Sequence, residues 1–200
     1  MDNYDLKYSK KEFYWGIKPH ELIIKTAKQL SLHTKILDLG CGEGKDSFYL
    51  AKKKFDVTST DISKAGIEKL ENFAKDKNLK IKTKVSNAKN FLKKCDNFDA
   101  IVCLNVLQFI DKENIVSIIE NMKAKTNQNG INIIASFVAE SKRQKSAALE
   151  KGKYLFAKGE LKELYKDWKI TFYKEKVGKW ETHGCPKHRH FKVTMIAQKI

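Results

Sequence analysis

Short apolar runs recur along most of the chain, and several are separated by stretches in which apolar residues return every three or four positions. The runs have the length of single strands, and the stretches have the spacing of an amphipathic helix. One run, FDAIVCL, is nearly continuous, which is typical of a strand buried on both faces. The pattern predicts five strands, at residues 35–39, 56–60, 81–85, 98–104 and 131–138.

The stretches between the runs carry the start signals of helices. Pro19 suits a first helical turn, and Ser63 and Asp111 are residue types that cap helix N-termini. We predict helices that begin near these three residues and a further helix at residues 47–53. Strands that alternate with helices imply right-handed crossovers. The expected fold is therefore a doubly wound α/β domain, Rossmann-like, with a mostly parallel sheet and helices on both faces.

The C-terminal part of the chain breaks this alternation. Residues 161–168 place apolar side chains on one face of a last helix, and Trp168 is assigned to the core. Strand patterns follow at residues 169–173 and 191–197 without a helical stretch between them, so these strands are expected to pair antiparallel at the sheet edge. The sheet would then have seven strands. The polar, basic residues 141–153 are predicted to form a mobile lid loop.

Length and composition limit the class of protein. Two hundred residues, 42% of them hydrophobic, suit one domain with a substantial core. No apolar stretch approaches the roughly 18 residues that a membrane span requires, and the first residues lack the apolar segment of a signal peptide. The four cysteines form no C-x-x-C pair, which favours reduced thiols. We expect a cytoplasmic monomer or homodimer with no membrane partner.

The net charge of +16 raises the question of a nucleic-acid partner. Only two of the 40 basic residues, Arg143 and Arg189, are arginines, whereas proteins that read bases and phosphates favour the bidentate guanidinium. The lysines are spread over nearly every predicted element rather than gathered in one stripe. The charge therefore indicates a solvated basic surface, and attraction of an anionic substrate or a nucleic acid is the alternative.

A glycine-rich turn, DLGCGEG, follows the first predicted strand, and the acid Asp61 follows the second. Ligands of open parallel sheets bind beyond the carboxyl ends of the strands, where an acid about 20 residues past the glycines can hold ribose hydroxyls. Dinucleotide sites prefer G-x-G-x-x-G, and Asp38 before the turn would repel a pyrophosphate but suit an ammonium group. S-adenosylmethionine (SAM) has an ammonium group, a ribose and no phosphate. SAM is the expected cofactor, and a tight turn without a ligand is the alternative.

At these residues the chain resembles the class I SAM-dependent methyltransferases, whose first motif is similar to residues 38–44. The resemblance implies that Asp61 contacts the ribose and that Asn87 lies where the family touches adenine. Many members have an aspartate in place of Asn87, but an amide can both accept from and donate to the base. The implied cofactor-binding residues are Asp38, Gly40, Cys41, Gly42, Gly44, Asp61, Ile62, Asn87, Ala88, Leu104 and Asn105.

Within this class the chain is similar to the tellurite-resistance methyltransferases of the TehB type. The similar stretches are IVCLNVLQFIDKENIVSIIENMKAKTNQNGINII, FAKGELKELYKDW and HRHFKVTMIAQK. The resemblance implies methyl transfer to a small molecule, such as an oxyanion of tellurium or selenium. The expected organisation is a single methyltransferase domain. It has an N-terminal helical cap at residues 1–34, a SAM-binding core at 35–140, and a lid loop, last helix and C-terminal hairpin at 141–200.

The segment THGCPKHRH, in the predicted hairpin, carries the candidate catalytic residues. They are His183, His188, Arg189 and His190. A neutral histidine can take a proton, and cationic groups can seat an oxyanion. The alternatives are a solvated polar turn and, from the spacing H-x-C-x-x-H-x-H with Cys185, a zinc site. The zinc site is disfavoured because its ligands would fall within too few residues, so no metal is predicted.

Two other functions remain as alternatives to small-molecule methyl transfer. A methyltransferase acting on RNA or DNA would suit the basic surface, but the chain lacks an N-P-P-Y tetrapeptide and a Pro-Cys nucleophile. A SAM-binding protein without catalytic activity would carry the same cofactor motif.

Aromatic residues precede the first predicted helix, in the segment FYWG at residues 13–16. TehB-type relatives often have aromatic residues near the cofactor or acceptor in this region. Anchoring of the N-terminal segment on the core is the alternative, because aromatic side chains bury a large area.

Overall fold

A computed structural model describes residues 3–139, 154–180, 187 and 189–200. Seven strands form one sheet. The strands are β1 (Lys35–Leu39), β2 (Asp56–Asp61), β3 (Ile81–Val85), β4 (Phe98–Leu104), β5 (Thr126–Phe137), β6 (Lys169–Val177) and β7 (Phe191–Gln198). The helices are α1 (Asn3–Tyr8), α2 (Glu21–Ala27), α3 (Lys45–Lys52), α4 (Lys64–Asp76), α5 (Ala88–Lys94), α6 (Lys112–Ala124) and α7 (Glu160–Leu164), with a 3₁₀ helix at Leu107–Phe109.

The strand order is β3-β2-β1-β4-β5-β7-β6. The first five strands pair parallel, and β7 pairs antiparallel with both β5 and β6. The winding reverses at β1, which has β2 on one side and β4 on the other. This order confirms the predicted doubly wound sheet with an antiparallel edge, and it creates the reversal point where ligands bind in open α/β sheets.

The core lies on both faces of the sheet, because successive residues of a strand point to opposite faces. Leu37 of β1 belongs to the cluster that packs against α5, α6 and α7. Its neighbour Ile36 belongs to the cluster that packs against α2 and α3. Each fully buried Leu or Ile stabilises the fold by about 1.5–3 kcal/mol. Trp168 is buried in the first cluster, as its spacing predicts.

Five elements differ from the sequence prediction by more than two residues; one of them, β6, continues to Val177 rather than ending at residue 173. Helices α1 and α5 were not predicted, because neither carries a long apolar stripe; Leu92 is the buried residue of α5. Strand β5 begins at Thr126 rather than at residue 131, because the polar residues NQNG join the strand with Asn129 at φ 63°. Helix α7 ends at Leu164, and the chain leaves helical geometry while Tyr165 stays buried.

The structure also bears on the predicted lid loop, the cysteines and the possibility of a membrane span. The lid loop at residues 141–153 lies outside the described residues. Cys41, Cys95 and Cys103 are free thiols. Among the described residues, every helix is too short or too polar to cross a membrane.

Candidate active site

Side chains from other parts of the chain pack closely against the glycine turn (residues 40–44) that follows β1. Gly40 and Gly42 have φ angles of 76° and 55°, which favour glycine. A Cβ atom built on Gly40 would lie 2.3 Å from Cγ2 of Val106, and one on Gly42 would lie 2.9 Å from the hydroxyl oxygen of Tyr8. Glycine is therefore required at both positions, because the side chains of Val106 and Tyr8 approach the backbone of the turn closely.

Asp61, at the end of β2, is bonded to this turn. Its Oδ2 accepts a hydrogen bond from the Gly42 amide at 2.8 Å, and its Oδ1 accepts one from the Ser63 amide at 2.8 Å. Burial raises the pKa of Asp61, and these amide donors act in the opposite direction. The carboxylate is thus held beside the glycine turn at the sheet edge, where a ribose would lie.

Asp38 lies near the end of β1, just before the glycine turn, and is 4% exposed. Its Oδ2 accepts a hydrogen bond from Ser47 Oγ at 2.6 Å, and Ser47 in turn accepts one from Ser59 Oγ at 2.9 Å. Burial, and next the Asp46 carboxylate, raise the pKa of Asp38 to about 7. Asp46 is itself bonded to the His20 amide at 2.6 Å. A cationic group would therefore stabilise the charged form of Asp38.

The end of β4 approaches the turn from the other side. Asn105 has a φ angle of 58°, and its amide donates to the Ala135 carbonyl of β5 at 2.8 Å. The next residue is Val106, which packs over Gly40. Leu104 and Asn105 therefore lie at the same edge of the sheet as the glycine turn, as the sequence predicts.

The predicted adenine contacts lie at the start of α5. Asn87 is the N-cap of this helix, and its Oδ1 accepts a hydrogen bond from the Asn90 amide at 2.8 Å. The capping role, which sequence reasoning missed, occupies the carbonyl oxygen and leaves the amide NH₂ group as the part that can donate. Ile62, directly after Asp61, is 65% exposed, so an apolar side chain lies beside the position where a ribose would bind.

The aromatic segment that precedes α2 is anchored on the core, and its hydrogen bonds extend to the glycine turn. Phe13 packs edge-on against Phe48 and Phe73, with centroid distances of 6.0 and 5.3 Å, and so anchors the segment on the core. The indole Nε1 of Trp15 donates to the Tyr8 hydroxyl at 3.2 Å, and that hydroxyl lies over the glycine turn. Sequence reasoning missed Tyr8, because α1 showed no helical signal.

Of the four predicted catalytic residues, the structure describes Arg189 and His190. His183 and His188 lie outside the described residues. Arg189 is exposed, and its guanidinium lies 5.0 Å from the centroid of the Trp180 ring. His190 is 1% exposed and stacks on Phe137 at 4.3 Å, with 15° between the ring planes.

The position of these two residues follows from the sheet. They immediately precede β7, whose first residues pair with the last residues of β5. They therefore lie at the carboxyl edge of the parallel strands, as does the glycine turn. His190 is packed rather than solvated, which disfavours the polar-turn alternative for this residue.

Within the described part of the chain, no group of three or more His, Cys, Asp or Glu side chains could hold a metal ion. Three residues of the alternative zinc site, His183, Cys185 and His188, lie outside the described residues.

Comparison with known proteins gives a consistent result. The profile of the family described as "Tellurite resistance protein TehB" matches residues 3–194. The chain is 37% identical to the "Probable S-adenosyl-L-methionine-dependent methyltransferase TehB" of Haemophilus influenzae (strain ATCC 51907 / DSM 11121 / KW20 / Rd), over 96% of this chain and 68% of that protein. The crystal structure of TehB from Haemophilus influenzae matches with a TM-score of 0.81 and 32% identity, over 100% of this chain and 66% of that chain. This chain thus spans about two thirds of their length.

A more distant solved structure shares the fold. Magnesium protoporphyrin IX methyltransferase (ChlM) from Synechocystis PCC 6803, crystallised with bound SAM, matches with a TM-score of 0.69 and 14% identity, over 90% of this chain and 76% of that chain.

Proposed function

Because this chain belongs to the TehB family and forms a SAM-dependent methyltransferase domain, we propose that it transfers the methyl group of SAM to a small-molecule acceptor. The observation that carries this proposal is the joint placement of Asp38, the glycine turn and Asp61 at the carboxyl ends of adjacent strands β1 and β2. A buried carboxylate and a second carboxylate placed to hold a ribose, on either side of a glycine-rich turn, would match the ammonium and ribose groups of SAM.

The cofactor supplies an activated methyl group, so the protein needs only to bind and orient the cofactor and the acceptor and to keep water out. Asp38 would hold the ammonium group, because burial, and next the Asp46 carboxylate, favour its protonated form until a cation arrives. Asp61 would accept hydrogen bonds from the ribose hydroxyls while it keeps the Gly42 amide in place. The other proposed cofactor contacts are Gly40, Cys41, Gly44, Ile62, Asn87, Ala88, Leu104 and Asn105.

The acceptor would lie toward β5 and β7. Arg189 and His190 reach the carboxyl edge there, and a guanidinium and an imidazole can seat an oxyanion and move a proton. His183 and His188, in the same hairpin, are proposed for the same tasks. The family description names tellurite resistance, which makes an oxyanion of tellurium or selenium the first acceptor to test. We place the reaction in the cytoplasm.

The test is to replace Arg189 with Ala and His190 with Gln in separate variants. Turnover of tellurite or selenite, followed as volatile methylated product in the headspace, should fall by about 10²–10⁴, the usual contribution of a positioned acid, base or oxyanion group. SAM affinity should stay within about threefold, because the proposed cofactor contacts lie on other strands. If both oxyanions are inert, a panel of small nucleophiles replaces them.

A matched control is His33→Asn. His33 is an exposed histidine with a φ angle of 63°, which Asn tolerates, and it precedes β1 at the opposite end of the strand. This control should keep wild-type turnover. If the Arg189 and His190 variants also keep it on an accepted substrate, the hairpin has no chemical role and placement alone carries the reaction.

A further inference from the structure

Glu43 occupies the middle of the glycine turn, yet its side chain binds the N-terminal segment (residues 3–16). The carboxylate is buried, with 3% of the residue exposed. Its Oε1 accepts a hydrogen bond from the Tyr14 amide at 3.1 Å, and its Oε2 accepts one from the Trp15 amide at 3.3 Å. Two consecutive backbone amides are therefore fixed to the cofactor turn by a single side chain.

Lys69 of α4 completes this contact. Its ammonium donates to Glu43 Oε1 at 2.6 Å and to the Glu12 carbonyl at 2.9 Å, and it lies 5.4 Å from the centroid of the Phe13 ring. The Lys69 side chain is 15% exposed. A buried ion pair whose groups are also hydrogen-bonded is costly to break, because removing one partner leaves an uncompensated charge.

The N-terminal segment is attached at the ribose side of the site as well. Asp5 of α1 accepts a hydrogen bond from Ser63 Oγ at 2.6 Å and from the Ala65 amide at 3.1 Å. Ser63 is also the residue whose amide donates to Asp61. The segment is thus bonded directly beside the carboxylate that we assign to ribose.

Between these attachments the segment crosses the glycine turn. The Tyr8 hydroxyl lies over Gly42, and burial, then the Asp61 carboxylate, raise its pKa, so the phenol stays protonated there. Beyond Tyr8 the aromatic contacts continue toward the acceptor side, where the Tyr4 ring meets Phe109 edge-on at 5.5 Å. The segment therefore extends from the ribose side to the end of the 3₁₀ helix that follows β4.

We infer that Glu43 and Lys69 are positioning residues that hold the N-terminal segment closed across the cofactor site and so control how fast the cofactor leaves. This inference rests on the proposed function, since it requires the nucleoside to bind between the glycine turn and the segment. Exchange of SAM for S-adenosylhomocysteine (SAH), the demethylated product, then requires residues 12–15 to separate from Glu43.

The test compares dissociation rates of SAH from wild type, Glu43→Gln and Lys69→Gln, measured by stopped-flow displacement with excess SAM. Each variant keeps a hydrogen-bonding group of similar size and loses one charge of the pair. SAH should leave about 10-fold faster or more from both variants, because weakening a buried charge pair acts mainly on dissociation. The KM for SAM should rise by a similar factor, and the KM for the acceptor should stay constant.

The matched control is Glu68→Gln on the same helix. Glu68 pairs with Lys64 at 3.5 Å, with side-chain exposures of 57% and 77%, so the pair is exposed and its contribution is small. Its SAH dissociation rate should stay within about twofold of wild type. Thermal unfolding of each variant shows whether it is folded, and so distinguishes faster SAH release from loss of the fold.

A second measurement needs no substitution. Lys10 and Lys11 are exposed residues of the segment and are sites for trypsin. Saturating SAH should slow cleavage at these lysines in wild type, because a cofactor beneath the segment favours the closed state. Equal cleavage with and without SAH, or wild-type release rates in both folded variants, would overturn the inference. Failure of wild type to bind SAH at all would instead overturn the proposed function.

Discussion

Lowering the pH from about 7.5 to about 5.5 should weaken SAM binding, because Asp38 becomes protonated over this range. Burial is the main cause of its raised pKa, and repulsion from Asp46 is the next; the hydrogen bond from Ser47 and the charge of Lys45 oppose them. The proposed partner of Asp38 is the ammonium group of SAM. Protonation removes this pairing and leaves the ribose contact at Asp61 in place.

The magnitude follows from the ionised fraction of Asp38. With a pKa of about 7, this fraction is about 3% at pH 5.5 and about 76% at pH 7.5, so SAM affinity should rise about 25-fold between them. An ordinary α-amino group, with a pKa near 7.7–8.0, is still about 60–75% protonated at pH 7.5, so its partial loss of charge reduces the observed rise to about 15- to 20-fold.

Without cofactor, folding stability changes with pH in the opposite direction to SAM affinity. The pKa of Asp38 is raised in the folded state, so its contribution is fully present below the unfolded value of about 3.9 and is lost as the pH rises through about 7. A bound ammonium group reverses this loss by stabilising the ionised carboxylate. The increase in Tm that SAM produces should therefore be larger at pH 7.5 than at pH 5.5.

The assay is calorimetric titration at a series of pH values with two ligands. Methylthioadenosine keeps the adenine and ribose but lacks the amino-acid part, so its affinity should change less than that of SAM. Asp38→Asn should bind SAM weakly with little change over the same range, and Asp56→Asn, at an exposed carboxylate of β2, should behave as wild type. An equal pH response of both ligands in wild type would refute the assignment of Asp38 to the ammonium group.

Two further predictions follow from the same contacts. Asp61→Ala should weaken SAM binding by about 1.5–3 kcal/mol, because charge-assisted hydrogen bonds are lost. Calorimetry should also show no binding of NAD; binding of NAD, or an unchanged SAM affinity in the variant, would contradict the cofactor assignment. Duplex DNA and structured RNA should bind weakly and dissociate as salt rises, as expected for non-specific phosphate contacts. A sequence-selective complex that survives physiological salt, in a filter-binding assay, would favour a nucleic-acid acceptor instead.

The parts of the fold that the sequence predicts are those with a local signal. The run FDAIVCL became β4 with the predicted bounds, and Ser63 caps α4 by accepting a hydrogen bond from the Gly66 amide at 3.0 Å. Helix α1 has no such signal, because its six residues lack an apolar stripe. Its contacts are instead with residues far along the chain, since Asp5 bonds Ser63 and Tyr8 packs over Gly42.

In the candidate site, too, the sequence predicts residues with a local signal and misses those whose contacts are distant along the chain. The residues of the turn and Asp61 are recognisable because their spacing fixes where they fall on strands β1 and β2. The role of Glu43 was not recognisable, although it lies within the quoted motif, because its partners Tyr14 and Lys69 are 29 and 26 positions away. A carboxylate in a cofactor motif suggests a ligand contact, and only the tertiary structure shows that this one binds the protein itself.

Three carboxylates at this edge of the sheet are distinguished by their partners. Glu43 has a lysine ammonium and two backbone amides, and Asp61 has two backbone amides. Asp38 has the hydrogen bond of one serine hydroxyl and the unfavourable charge of Asp46 nearby. Because hydroxyl donors stabilise a buried charge less than an ammonium does, Asp38 is the carboxylate that gains most from a cation. The protein thus satisfies the two carboxylates that shape the site and leaves the third to be compensated by the ligand, which is why binding of SAM should depend on the ionisation of Asp38.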